Sequence, residues 1–173
     1  MTQMEQLKRT FLKNEGTFRS EALPYGRYVL AISGARTRVA LGSVSYNETP
    51  ATHGHFLLDP SSDTHNLKVD LTPATSVLRV KVTKGFRPAA HANVVLVREP
   101  VGVTGLREAL TDLQTSEDGL AEFSGLPAGD YRLAAFPAEI RWRELPNVVS
   151  VLAASKEVTL TEGELRQVET SVR

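Results

Sequence analysis

Residues 124–136 read SGLPAGDYRLAAF, and the pattern Leu-Pro-x-Gly-x-Tyr-x-Leu within them decides the fold. The same pattern stands at Leu23, Pro24, Gly26, Tyr28 and Leu30, matching Leu126, Pro127, Gly129, Tyr131 and Leu133 position for position. Each letter has a physical task. The proline ring disfavours the α region for the residue before it, so the leucine is held extended. Proline itself ends a strand where no ladder donor is needed. The glycine permits the positive φ of a tight corner. The tyrosine opens the next strand, its ring turned inward and its hydroxyl reaching back to the corner's backbone, as in the tyrosine corners of Greek-key sandwiches. The stretch recurs because one corner is built twice.

Outward from the second corner, short alternating runs dominate. In SVLRVKVTK (76–84), Leu78, Val80 and Val82 fall on one face and Arg79, Lys81 and Thr83 on the other, which predicts a half-buried strand. ANVVLVRE (92–99) is a more apolar strand, and LTDLQTS (110–116), LAEFS (120–124) and YRLAAF (131–136) follow. Asp118-Gly119 between alternating runs predicts a hairpin. KEVTL (156–160) and RQVETSV (166–172) complete about seven strands, joined by a turn at 161–164. The exception is 144–155, ELPNVVSVLAAS, where Val148, Val149, Leu152 and Ala153 approach helical spacing and Pro146 suits a first turn; this predicts a short helix or a loose crossover.

The first half repeats the ending of the second. TFRSEALP (17–24), RYVLAIS (27–33), TRVALGSVSY (37–46) and NLKVDLT (66–72) predict strands, preceded by a hairpin turning at Asn14-Glu15-Gly16. Too few residues precede the first corner to supply all the strands that precede the second. The division expected is an incomplete sandwich unit over 1–74 and a complete seven-stranded one over 75–173. Three explanations stay open for the missing strands: the chain is a piece of a longer protein, a partner donates them, or the unit is abridged. The first also accounts for an N-terminus, MTQMEQLKRTFLKNEG, that lacks the apolar region of a secretory signal. An open sheet edge there invites pairing with another chain.

TSEDGLAEFSGLPAGDYRLAAF resembles the signature of carboxypeptidase regulatory-like domains and of their relatives among collagen-adhesin B-type repeats. Those families are prealbumin-like (transthyretin-like) β-sandwiches. The resemblance covers 76–173 well and 8–73 in part. It implies an all-β chain of tandem Greek-key units, placed outside the cell or in the bacterial envelope as an accessory module without catalysis. Its implied partners are neighbouring domains of the same chain or another protein. Some B-type domains carry a Lys–Asn isopeptide bond between first and last strands. Here Lys81 falls on the polar face and RQVETSV holds neither Asn nor Asp, so no such bond is expected.

Composition narrows the chemistry. Twenty basic residues balance twenty acidic ones, so no global field draws nucleic acid or an anionic membrane. Without cysteine there is no thiolate nucleophile and no cysteine-held metal. No apolar run approaches the roughly 18 residues of a membrane span. No Gly-x-Ser-x-Gly elbow occurs, and the glycine-containing loop at 102–106 lacks the lysine and helix of a phosphate cradle. Enzymes on related sandwiches fit no better. Hydroxyisourate hydrolases need a C-terminal tetrapeptide, whereas this chain ends TSVR. Intradiol dioxygenases hold iron with two Tyr and two His, whereas Tyr25, Tyr28, Tyr46 and Tyr131 read as corner or strand residues.

We therefore expect no catalytic residue, no cofactor and no metal. His53 and His55 could share a metal at i, i+2, with His65, Asp59 and Asp63 nearby, yet they read as a polar loop between strands. His91 reads as a turn residue. One binding alternative remains: Trp142, between Arg141 and Arg143, together with the 98–110 loop, could serve a glycan or a protein partner. A binding role predicts an exposed tryptophan; a structural role predicts a buried one.

Overall fold

A computed structural model of the chain describes residues 16–20, 22–30, 38–51, 54–61, 65–99 and 110–172. Twelve strands account for most of it: β1 (Gly26–Val29), β2 (Val39–Tyr46), β3 (Thr49–Pro50), β4 (His55–Leu58), β5 (Leu67–Lys84), β6 (Arg87–Pro88), β7 (Asn93–Arg98), β8 (Leu110–Gln114), β9 (Leu120–Pro127), β10 (Gly129–Phe136), β11 (Lys156–Leu160) and β12 (Leu165–Ser171). A short helix, α1 (Val148–Ala153), follows a 3-10 turn at Trp142–Glu144. The expected all-β sandwich is the fold.

From residue 74 onward two sheets face one another. One holds β9, β5 and β12; the other runs β11-β10-β7-β8. Strand alternation turns Leu78, Val80 and Val82 of β5 and Ala121 and Phe123 of β9 inward. Opposite them lie Val94 and Leu96 of β7, Leu133 and Ala135 of β10, and Val158 and Leu160 of β11. β7 reads as an unbroken apolar run because both of its faces are covered. Val95 and Val97 point outward beside Ala134 and Phe136 of β10, where Trp142 and Leu152 cover them. α1 exists to cover that face: it presents Leu152 with Val148 and Val151 to this second core. Pro146 stands before the Asn147 N-cap rather than in the first turn.

β5 is the spine. The sequence predicts two strands, 66–72 and 76–84; the structure has one strand of 18 residues running through Pro73. Its N-terminal half pairs antiparallel with β2, from Tyr46↔Leu67 to Val39↔Pro73. Its C-terminal half pairs antiparallel with β9 and parallel with β12. Backbone bonds show how a proline is tolerated. The Ala74 amide donates to Arg38 at 2.7 Å and the Val82 amide to Gly119 at 2.8 Å, so even-numbered residues bond toward β2 and β9. The Val77 amide donates to Glu164 at 2.8 Å, so odd-numbered ones bond toward β12. The Pro73 nitrogen thus points away from β2, to an edge that has no strand beside 67–73 among the described residues.

Two other expectations are corrected. Asp118-Gly119 makes no hairpin, because β8 pairs with β7 in one sheet and β9 with β5 in the other. The turn is an arch between sheets, anchored by buried Thr115, which donates to the Ala89 carbonyl at 2.6 Å and accepts from the Ala92 amide at 2.9 Å. The two-residue hairpins lie elsewhere: Gly85-Phe86 joins β5 to β6, and Asn47-Glu48, both at positive φ, joins β2 to β3. The strand predicted at 17–24 is absent from 17–20 and 22–24, where no described strand offers a ladder. β1 ends at Val29, and the hairpin expected at Asn14-Glu15-Gly16 lies outside the described residues except for Gly16.

Candidate functional site

The two corners carry the same bond. The Tyr28 hydroxyl donates to the Pro24 carbonyl at 2.6 Å, and the Tyr131 hydroxyl to the Pro127 carbonyl at 2.7 Å. Gly26 and Gly129 hold φ of 156° and 144° in matching places. Leu126 lies in the core and Leu23 is half-buried. Tyr131 is only 3% exposed, and burial pushes its hydroxyl pKa up to about 12, opposed by the charge of Arg98.

A stability consequence follows. The unfolded tyrosine ionises near its model value of 10.0 while the folded one keeps its proton to about 12. The contribution is therefore fully present below pH 10 and is lost as pH rises from about 10 to 12, on the order of 2–3 kcal/mol in all. Urea melts across this window should show the loss in the native chain. Tyr131→Phe should start about 1–2 kcal/mol less stable at pH 7 and lack that alkaline component.

Trp142 is 5% exposed. Its ring stacks on Phe136 at 6.2 Å between centroids, and the Arg143 guanidinium carbon lies 4.7 Å from its ring centroid. The proposed sugar-stacking face is therefore not offered to solvent; the ring closes the outer core beside α1. Arg143 is tied to Asp112 of β8 at 2.6 Å, and Arg141 bonds Glu144 at 3.4 Å. Residues 100–109 of the loop that was to complete a glycan site lie outside the described residues, as do His53 and Asp63.

The other sequence candidates sit apart. His55 lies on β4 opposite Val29. His65 accompanies an aromatic row: its Nδ1 is 2.5 Å from the Tyr46 hydroxyl, Tyr46 stacks on Phe56, and Phe56 on Tyr28. The Asp59 carboxyl is held below its ordinary pKa by the Ser61 hydroxyl and amide, a local turn. His91 is a turn residue at φ 55°, with Nε2 2.9 Å from Glu117. Lys81 lies across the ladder from Glu169, 3.1 Å away. Among the described residues no group of three or more His, Asp or Glu could hold a metal.

A cleft of about 350 Å³ lies at the ends of β7, β10 and β11, lined by Glu99, Asp130, Tyr131, Arg132, Glu157, Val158 and Thr159. Its polar groups are engaged with each other. Arg132 bonds Glu99, reaches Glu157 at 2.7 Å and donates to the Ser155 carbonyl at 3.3 Å. The Glu99 bond comes first among the causes that hold its pKa above the ordinary guanidinium value. Thr159 donates to Asp130 at 2.6 Å. The arrangement is an ion-paired brace around Arg132, with the Thr159–Asp130 bond beside it.

The residue that sequence reading missed is Arg98. It donates from Nη1 to the Leu41 carbonyl of β2 at 2.7 Å and from Nη2 to the Ala128 carbonyl at 3.3 Å. One side chain thus ties β7, the second corner and β2 together. The available signal was an arginine closing the apolar run NVVLVR, where a partly buried guanidinium requires acceptors.

No family model matches the chain, and no curated protein matches it. Solved structures similar in part include BcpA, the major pilin subunit of Bacillus cereus, and a variant of it. Identity is 12% and 11%, with TM-scores of 0.41 and 0.37. The match covers 78% and 79% of this chain and 56% of each pilin chain, so the chain spans little more than half their length.

Proposed function

We propose that the chain is a non-catalytic structural and interaction module of a larger bacterial secreted or cell-envelope protein, made of two units that meet at residues 74 and 75. The observation that carries this reading is the continuity of β5. A strand shared by two sheets cannot act as a hinge without breaking its own ladder, so the units hold a fixed relation. The Arg98 bond to Leu41 works in the same direction.

The interaction part rests on the first unit. Among the described residues before Ala74, only Val44, Ala51 and Leu58 are buried hydrophobics, while Tyr25, Leu57 and Leu71 stay exposed. Among the described residues no strand lies beside Leu67, Val69 and Leu71 on the second edge of β5, and that edge suits a strand from a neighbouring domain or another protein.

Spin labels on Thr49→Cys in β3 and Thr111→Cys in β8 test the fixed relation, and no native cysteine competes for the label. One narrow distance distribution is expected. A broad distribution would remove the rigid-module reading.

A further inference from the structure

We propose that the parallel pairing of β5 with β12 is a mechanical clamp, which lets the sandwich bear tension carried along the chain. The inference deepens the structural-module reading and rests on it. The ladder runs through seven residue pairs, from Leu165↔Val77 to Ser171↔Thr83. It is closed at one end by the Val77 amide on the Glu164 carbonyl, 2.8 Å, and at the other by the Val172 amide on the Thr83 carbonyl, 3.0 Å.

Direction decides how such a ladder fails. In a parallel pair the start of one strand and the end of the other lie at opposite ends of the ladder. Tension entering β5 at residue 76 and leaving β12 at residue 172 therefore slides the strands past each other and loads every bond together. Pulling both strands from one end opens the bonds one at a time.

The surroundings suit the sliding mode. β5 is held on its other edge by β9 from Ala74↔Pro127 to Lys81↔Leu120, so it cannot peel sideways from β12 alone. Arg79 bonds Glu122 across that pair at 2.7 Å, and Lys81 meets Glu169 across the clamp at 3.1 Å. Val168 and Val172 add apolar anchorage by packing on the main core.

The test uses two pulling geometries on one folded protein. The chain has no cysteine, so introduced pairs define the attachment points uniquely. Thr75→Cys with Ser171→Cys loads the clamp in shear. Phe86→Cys with Ser171→Cys loads it from one end, since Phe86 follows the end of β5 beside Thr83. These positions are exposed, and matching thermal melts establish that both variants fold alike.

In single-molecule pulling at equal speed, the shear pair should unfold at a force at least about twofold higher, because forced unfolding follows the barrier along the loaded direction. Equal forces in the two geometries overturn the clamp. That failure leaves the module reading standing, because the spin-label distances test the module with no load applied.

Discussion

Gly119→Ala should destabilise the chain by about 3–5 kcal/mol, a large share of the stability of an ordinary domain. The residue sits at φ 72° in the arch that carries the chain from β8 to β9. A Cβ there would lie 2.6 Å from the Val82 carbonyl oxygen, 3.0 Å from the Ala89 nitrogen and 3.1 Å from Pro88 Cβ. Two of these are backbone atoms of the β5–β6 hairpin and cannot turn aside. Movement of the arch would also break the bond from the Val82 amide to the Gly119 carbonyl. Gly85→Ala is the control: its φ is 63°, but a Cβ meets nothing within 4 Å. That variant should cost about 1–2 kcal/mol, the left-handed penalty alone. Urea melts of both variants measure the difference, and equal costs would mean the close approach of the arch to β5 and β6 is wrong.

Phe123→Ala should cost about 3–5 kcal/mol and lower the melting midpoint by about 15–30 °C, with little change in the urea dependence of unfolding. The ring is 2% exposed and is among the largest fully buried side chains of the main core. It stands on β9 across from Leu78, between the two facing sheets. Deleting it removes apolar surface from a core that close-packed β-branched neighbours refill poorly. Leu120→Ala on the same strand should change stability by less than about 0.5 kcal/mol, because Leu120 is 47% exposed. Calorimetric midpoints of the two variants separate an interior ring from a surface one.

The strands after residue 76 were legible because their two-residue alternation coincides with burial on one face. KEVTL is β11 residue for residue, since Val158 and Leu160 are buried between exposed neighbours. The helix near 148–153 was legible from its spacing, though its task was not. A face of β7 and β10 left apolar on the outside needs a cover, and this emerges only when the sheet is assembled. Asp118-Gly119 misled because a dipeptide encodes turn conformation and not which strand pairs with which. The unbroken length of β5 was not legible for a related reason. Proline breaks a ladder only on the edge toward which its nitrogen points, and edges are a property of the sheet. In the candidate sites, Trp142 could be singled out as the chain's one tryptophan, but its burial depends on Phe136 and α1. Arg98 was invisible as a tie because both of its acceptors are backbone carbonyls, which have no letter in a sequence.

β5 runs unbroken from Leu67 to Lys84, and amide hydrogen exchange along residues 67–84 reads that continuity residue by residue. The Ala74 amide, bonded to Arg38, should be protected along with those of Val77 and Val82, which are bonded to Glu164 and Gly119. Free exchange at Ala74 beside a protected Val82 would contradict it, and the two halves of β5 would then be separate strands joined at a hinge.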